Sequence, residues 1–122
     1  MHEMSLAQAM LALAQQHAAG QRIVVLKVRV GALSGVMTDS LEFSFELLSQ
    51  GTSAAGARLE YEFVPVQMTC RACGADVPTD EWRELPGNEA VLMALEKGCA
   101  CGCKELKITG GYDFQLVEIE VA

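Results

Sequence analysis

The chain is short of cations. Nine lysines and arginines stand against sixteen aspartates and glutamates, a net charge of -7 over 122 residues. A phosphate backbone is bound through clustered positive charge, so this balance counts against nucleic acid as a partner. Long apolar runs are missing too: none comes near the roughly 20 residues that a membrane-spanning helix needs. The opening residues Met1-His2-Glu3-Met4 carry no basic region, and Gln8, Gln15, Gln16 and His17 break the apolar stretch behind them. No secretory signal is read, and a cytoplasmic protein without membrane attachment is expected. Internal repeats and low-complexity tracts are absent. Cysteine is absent up to position 69, and all five copies then fall at 70, 73, 99, 101 and 103. An odd, clustered set argues against a disulfide framework and for a metal site in a reducing compartment.

What the chain does have is enough apolar content, 51%, for one compact domain or for a small domain with a satellite module. Leu6, Met10, Leu13 and His17 recur at helical spacing, flanked by Ala7, Leu11, Ala14 and Ala18. Ser5 and Gln8 form a capping box, which places the helix start near Ser5, leaves Met1 to Met4 as a short mobile arm and puts His17 on a packed face. Ile23 to Val30 reads as a half-buried strand. Asp39-Ser40-Leu41-Glu42 reads as a second capping box, with Asp39 as N-cap of a helix that stops at Gly51. Ala57 to Val64 and Tyr112 to Val121 alternate again as strands, with Glu60, Glu62, Glu118 and Glu120 on solvated faces. The expected architecture is α+β: a three-stranded mixed sheet with two helices, formed by residues 1–66 and 110–122, plus an inserted zinc-ribbon-like module at 67–109. Pro65 and Gly110-Gly111 are its natural hinges, and a short helical pattern runs from Asn88 to Glu96 within it.

Cys70-Arg71-Ala72-Cys73-Gly74 is a knuckle in which two thiolates three apart reach one metal, the glycine permitting a positive φ. Cys99-Ala100-Cys101-Gly102-Cys103 does not keep that interval. Matching Gly102 to Gly74 favours Cys70, Cys73, Cys99 and Cys101 as the ligand set, while pairing Cys103 with Cys101 or with Cys99 remains open. Four thiolates suit a closed structural zinc site, with rubredoxin-like iron as the rival. At the other end of the chain, Met1 and His2 can offer the terminal amine, the His2 amide nitrogen and its imidazole in one plane, which suits Ni(II) or Cu(II). Glu3 could add an oxygen, and Asp39 could approach. No activated nucleophile, paired acid and base or phosphate loop is visible, so no enzymatic activity is expected.

Met1-His2-Glu3-Met4-Ser5-Leu6, Val30-Gly31-Ala32-Leu33-Ser34-Gly35-Val36, Leu41-Glu42-Phe43-Ser44-Phe45-Glu46, the paired cysteine knuckles and Ile119-Glu120-Val121 together make the chain resemble, over its whole length, the HypA/HybF family of hydrogenase maturation nickel metallochaperones. The resemblance implies a nickel-binding domain built from both chain ends and an inserted zinc domain. It also implies delivery of Ni(II) to the large subunit of a NiFe hydrogenase, in concert with a nickel-handling maturation GTPase. Carried over residue by residue, it makes His2, with the Met1 amine, the nickel ligand, matches Glu3 to the Met-His-Glu opening, and assigns Cys70 and Cys73 to zinc. The second cysteine cluster departs from the family's Cys-x-x-Cys-Gly pattern. The chain is expected to work as a monomer or homodimer; the reading without nickel is an interaction module of zinc-ribbon type, which the acidic insertion disfavours.

Overall fold

A computed structural model describes residues 2–122; the Met1 nickel donor expected above lies outside the described residues. The element order is α1 (His2–Ala18), β1 (Ile23–Gly31), α2 (Thr38–Ser49), β2 (Arg58–Val64), β3 (Gln67–Cys70), β4 (Asp76–Val77), a 3-10 turn (Asp80–Trp82), α3 (Gly87–Lys97), β5 (Leu106–Gly110) and β6 (Phe114–Val121). The chain divides into two compact units, one of Met1–Arg29, Val36–Glu62 and Phe114–Ala122, the other of Val30–Gly35 and Phe63–Asp113.

One three-stranded sheet has the order β2-β1-β6 and belongs to the first unit except for the last residues of β1 and β2, which fall in the second. Ile23 N–H donates to Ser53 O and Ala32 N–H to Val64 O, so β2 runs with β1. Ala122 N–H donates to Arg22 O and Gly31 N–H to Asp113 O, so β6 runs against it. The sheet is therefore mixed, as expected. A parallel pair needs a crossover, and α2 supplies it between β1 and β2. As the central strand, β1 buries Ile23, Val25, Leu26, Val28 and Val30, each such side chain contributing about 1.5–3 kcal/mol of apolar burial. Its polar positions meet the edge strands, with Lys27 Nζ 3.1 Å from Glu118 Oε2 and Arg29 Nε 2.9 Å from Glu62 Oε2. These cross-strand pairs occupy carboxylates that the alternation pattern alone assigns to solvent.

Helix α1 packs on α2, but three expectations about the helices need correction. First, α1 begins at His2 rather than near Ser5. Glu3 Oε2 accepts a hydrogen bond from Met37 N–H at 3.3 Å, which ties that opening turn to α2. Second, α2 begins at Thr38 with Met37 as N-cap, and no side chain of its own caps it, so Asp39 is not the cap. Third, His17 is exposed. The buried stripe of α1 is Ala7, Met10, Leu11, Ala14 and Ala18, and Leu13 and His17 line a surface groove with Leu116, Val117, Glu118 and Ile119. Small alanines let the helix approach closely, which turns the larger Leu13 outward.

The second unit is built on the antiparallel sheet β4-β3-β5, with Met68 opposite Val77 and Cys70 opposite Leu106. Its core consists of Val66, Met68, Cys70, Val77, Trp82, Ala90, Ala94 and Leu106. The Thr79 hydroxyl, buried, donates to Val66 O at 2.6 Å and fixes the loop after β4. Helix α3 spans Gly87–Lys97, close to the expected Asn88–Glu96. A Cβ at Gly87 would collide with the backbone of Ala32, so the start of α3 can pack there only with glycine.

Candidate metal centres

The first cysteines sit where β3 runs out into a tight turn. Gly74 N–H donates to Cys70 O at 2.9 Å and Cys70 N–H donates to Ala75 O at 2.9 Å. Gly74 takes φ +74°, a backbone region that side-chain-bearing residues rarely adopt. The second turn follows α3. Gly98 closes that helix at φ +76°, Gly102 N–H donates to Cys99 O at 2.9 Å, and Cys99 N–H donates to Cys103 O at 2.8 Å. Gly102, at φ +93°, occupies the same kind of position as Gly74.

These two turns bring together the sulfurs of Cys70, Cys73, Cys99 and Cys101, all within 4.8 Å of one another. Cys70 Sγ lies 3.6 Å from Cys101 Sγ and Cys73 Sγ lies 3.6 Å from Cys99 Sγ. A tetrahedron of sulfurs around zinc, with bonds of about 2.3 Å, has edges of about 3.8 Å. The donor set and its spacing therefore fit a closed four-coordinate site for a metal such as zinc. Cys103 stands outside this group. Its sulfur accepts a hydrogen bond from Glu105 N–H at 3.3 Å, and its side chain packs against the apolar core of the unit.

Charge explains why the cluster wants a cation. Backbone N–H groups of Cys73 and Ala72 aimed at Cys70 outweigh its burial and lower its thiol to about 6. The backbone N–H of Cys103 favours the Cys101 thiolate, but the neighbouring thiols of Cys70 and Cys99 outweigh it and push Cys101 up to about 12. The Cys73 thiol is raised as well, by Cys99 and Cys70 overriding the Ala75 N–H. One thiol ionises readily and its neighbours then resist, because like charges packed this closely repel. A bound divalent cation removes that resistance and keeps the sulfurs deprotonated.

At the other end of the chain, His2 opens α1 and is exposed; Glu3 is half-buried, its carboxylate on Met37 N–H; and Asp39 is exposed in the first turn of α2. Among the described residues, the cysteine quartet is the one group of three or more His, Cys, Asp or Glu side chains that converges on a point. His2, Glu3 and Asp39 do not form a second. Two features of these sites escape a reading of residue types alone. One is the set of backbone N–H groups that tune the thiols; its only sequence signal is the glycine after each knuckle. The other is Met37, whose N–H holds Glu3 and which nothing in the sequence marks.

The family model described as hydrogenase/urease nickel incorporation metallochaperone, HypA, matches residues 1–121. Hydrogenase maturation factor HypA of Polaromonas naphthalenivorans is 37% identical, covering 100% of this chain and 98% of that protein. The same factor from Nostoc sp. is 33% identical, covering 99% and 96%. The fold is shared with a solution structure of HypA protein, at TM-score 0.69 and 23% identity over 100% of this chain and 97% of that one. It is shared also with the solution structure of the Ni metallochaperone HypA from Helicobacter pylori, at TM-score 0.58 and 22% identity over 98% and 96%. A family model that matches residues 1–121, with a relative 37% identical over essentially the whole of both chains, places this chain in the HypA family of nickel-incorporation metallochaperones.

Proposed function

We propose that this protein carries Ni(II) for the maturation of a NiFe hydrogenase, binding it through the Met1 amine, the His2 amide nitrogen and the His2 imidazole, with Glu3 beside them. The observation that carries the reading is the position of His2: exposed, and the first residue of α1. The first N–H groups of a helix have no partner inside it. The His2 amide is thus available without unwinding α1. Nitrogen donors in that plane suit Ni(II). A small set of donors at a chain end can pass the ion on by ligand exchange, with no bond made or broken in an organic molecule. The protein then acts as a carrier rather than an enzyme, and its partners are a nickel-handling maturation GTPase and the hydrogenase large subunit in the cytoplasm.

Residues 1–66 and 110–122 serve nickel in this reading, and 67–109 serve zinc. Cys70, Cys73, Cys99 and Cys101 hold Zn(II), which supplies the cross-link that keeps the small second unit folded. Cys103 supports the turn through its backbone carbonyl and its packing. Calorimetric titration with Ni(II) tests the assignment on three forms: the wild type, His2→Ala, and a chain with one residue added before Met1. Both altered forms are expected to lose the tight binding event. Unchanged affinity in either one contradicts the site.

A further inference from the structure

Helix α2 begins without a cap of its own. Met37 stands at the N-cap position in extended backbone, at φ -92° and ψ 109°, and no side-chain cap hydrogen bond is made there. The first backbone N–H groups of a helix need acceptors from outside it. For Met37 N–H the acceptor comes from another helix: Glu3 Oε2, 3.3 Å away and 34 residues earlier in the chain. A carboxylate at that position meets both a donor and the positive end of the α2 dipole, so it is held by direction as well as by charge.

Glu3 is the residue directly after His2, and both lie in the first turn of α1. The sequence treats this stretch as a loose arm; the hydrogen bond makes it an anchored one. We propose that Glu3 is a positioning residue for nickel: its carboxylate pins the opening turn of α1 to the start of α2 and thereby holds His2 in place for the ion, while contributing no ligand atom itself. The inference rests on the reading of His2 as a nickel ligand. It gives Oε2 of Glu3 a task other than ligation, and moving that oxygen to the metal would leave Met37 N–H without its acceptor. An arm ordered before the ion arrives has already lost the freedom that binding would otherwise take from it, and affinity rises accordingly.

Three variants separate positioning from ligation. Glu3→Gln keeps an oxygen that can accept from Met37 N–H but removes the carboxylate as a metal ligand. Glu3→Ala removes both. Met37→Pro removes the donor and leaves Glu3 untouched. In Ni(II) titrations, Glu3→Ala and Met37→Pro are each expected to weaken binding by roughly fivefold to tenfold, the size of a lost helix cap, and Glu3→Gln by no more than about twofold. A Glu3→Gln loss as large as that of Glu3→Ala overturns the proposal, because it makes the carboxylate a ligand. Backbone 15N relaxation on the nickel-free forms gives a second readout. His2 to Met4 should gain fast motion in Glu3→Ala and Met37→Pro and stay ordered in Glu3→Gln; an arm equally ordered in all forms overturns the anchoring. If the wild type binds no nickel through His2 while the relaxation pattern holds, the fault lies with the nickel site and the anchor stands.

Discussion

The two units solve the problem of staying folded by different means. The first has a central strand whose apolar side chains are nearly all buried, with Ile23, Leu26 and Val28 at 0% exposure, and two helices laid against each other with Leu41 at 0% and Phe45 at 2%. The second has a core of short strands and alanines around one tryptophan, with Leu92 left 64% exposed on α3. Cores of that size seldom hold a domain together unaided, and a cross-link such as a metal is the usual remedy. Its buried Cys70 belongs at once to the apolar core and to the thiol quartet. On the proposed reading, the comparison teaches that one chain can keep a metal for structure in the unit least able to fold alone. The unit that is stable through packing is then left to present an exposed histidine.

That contrast can be broken most severely at the cysteines. Cys73→Ser or Cys101→Ser should release the metal and unfold the second unit, seen as lost metal content and lost amide dispersion in that unit, while the first keeps its spectrum. Cys103→Ser should retain full metal, since its sulfur sits on Glu105 N–H outside the quartet. If Cys103→Ser loses metal as Cys73→Ser does, the ligand set is wrong.

Next in size is the converse change. Leu26→Ala hollows the first unit's core and should cost about 2–5 kcal/mol in denaturant unfolding, with zinc content unchanged. A loss of metal in that variant would show that the two units do not hold themselves by separate means.

A smaller effect concerns protons. Zinc binding must displace the protons still on the thiols. Cys70, lowered to about 6, is already ionised at neutral pH, and Cys101, pushed up to about 12, is not. Lowering the pH through 6 returns most of the Cys70 proton, so calorimetry in buffers of different ionisation enthalpy should find about 0.7 more proton released per zinc at pH 5.5 than at pH 7.5. A count that stays flat would remove the special status of Cys70.

The smallest expected effect is at the surface of the second unit, where Lys97 Nζ lies 3.0 Å from Glu81 Oε1 and 5.6 Å from the centre of the Trp82 ring. Glu81→Gln should cost less than about 1 kcal/mol, as exposed ion pairs do. A larger loss would mean that this unit depends on its surface pairs as well as its metal.

Much of this was legible in residue patterns, and what was not has physical causes. The β1 alternation of Leu26, Val28 and Val30 marks a strand because a pleated sheet repeats every two residues. Gly102, matched to Gly74, points to Cys101 over Cys103 because positive φ is a requirement of the turn itself. Local capping patterns misplace both helix starts. Ser5 and Asp39 have the right neighbours, but the acceptor that completes α2 comes from Glu3, and a contact over 34 residues leaves no local trace. His17 was misplaced for a related reason: helical spacing finds an apolar face, and only packing decides which edge of it is covered. Strands β3, β4 and β5 were too short for periodicity to reveal them.

The account turns on two metals held in two places by different atoms. X-ray absorption at both metal edges, on protein loaded with nickel and zinc, tests this most directly. Zinc should show four sulfur neighbours at about 2.3 Å, and nickel should show nitrogen and oxygen neighbours with no sulfur. Sulfur in the nickel shell, or a zinc shell with fewer than four sulfurs, would contradict it.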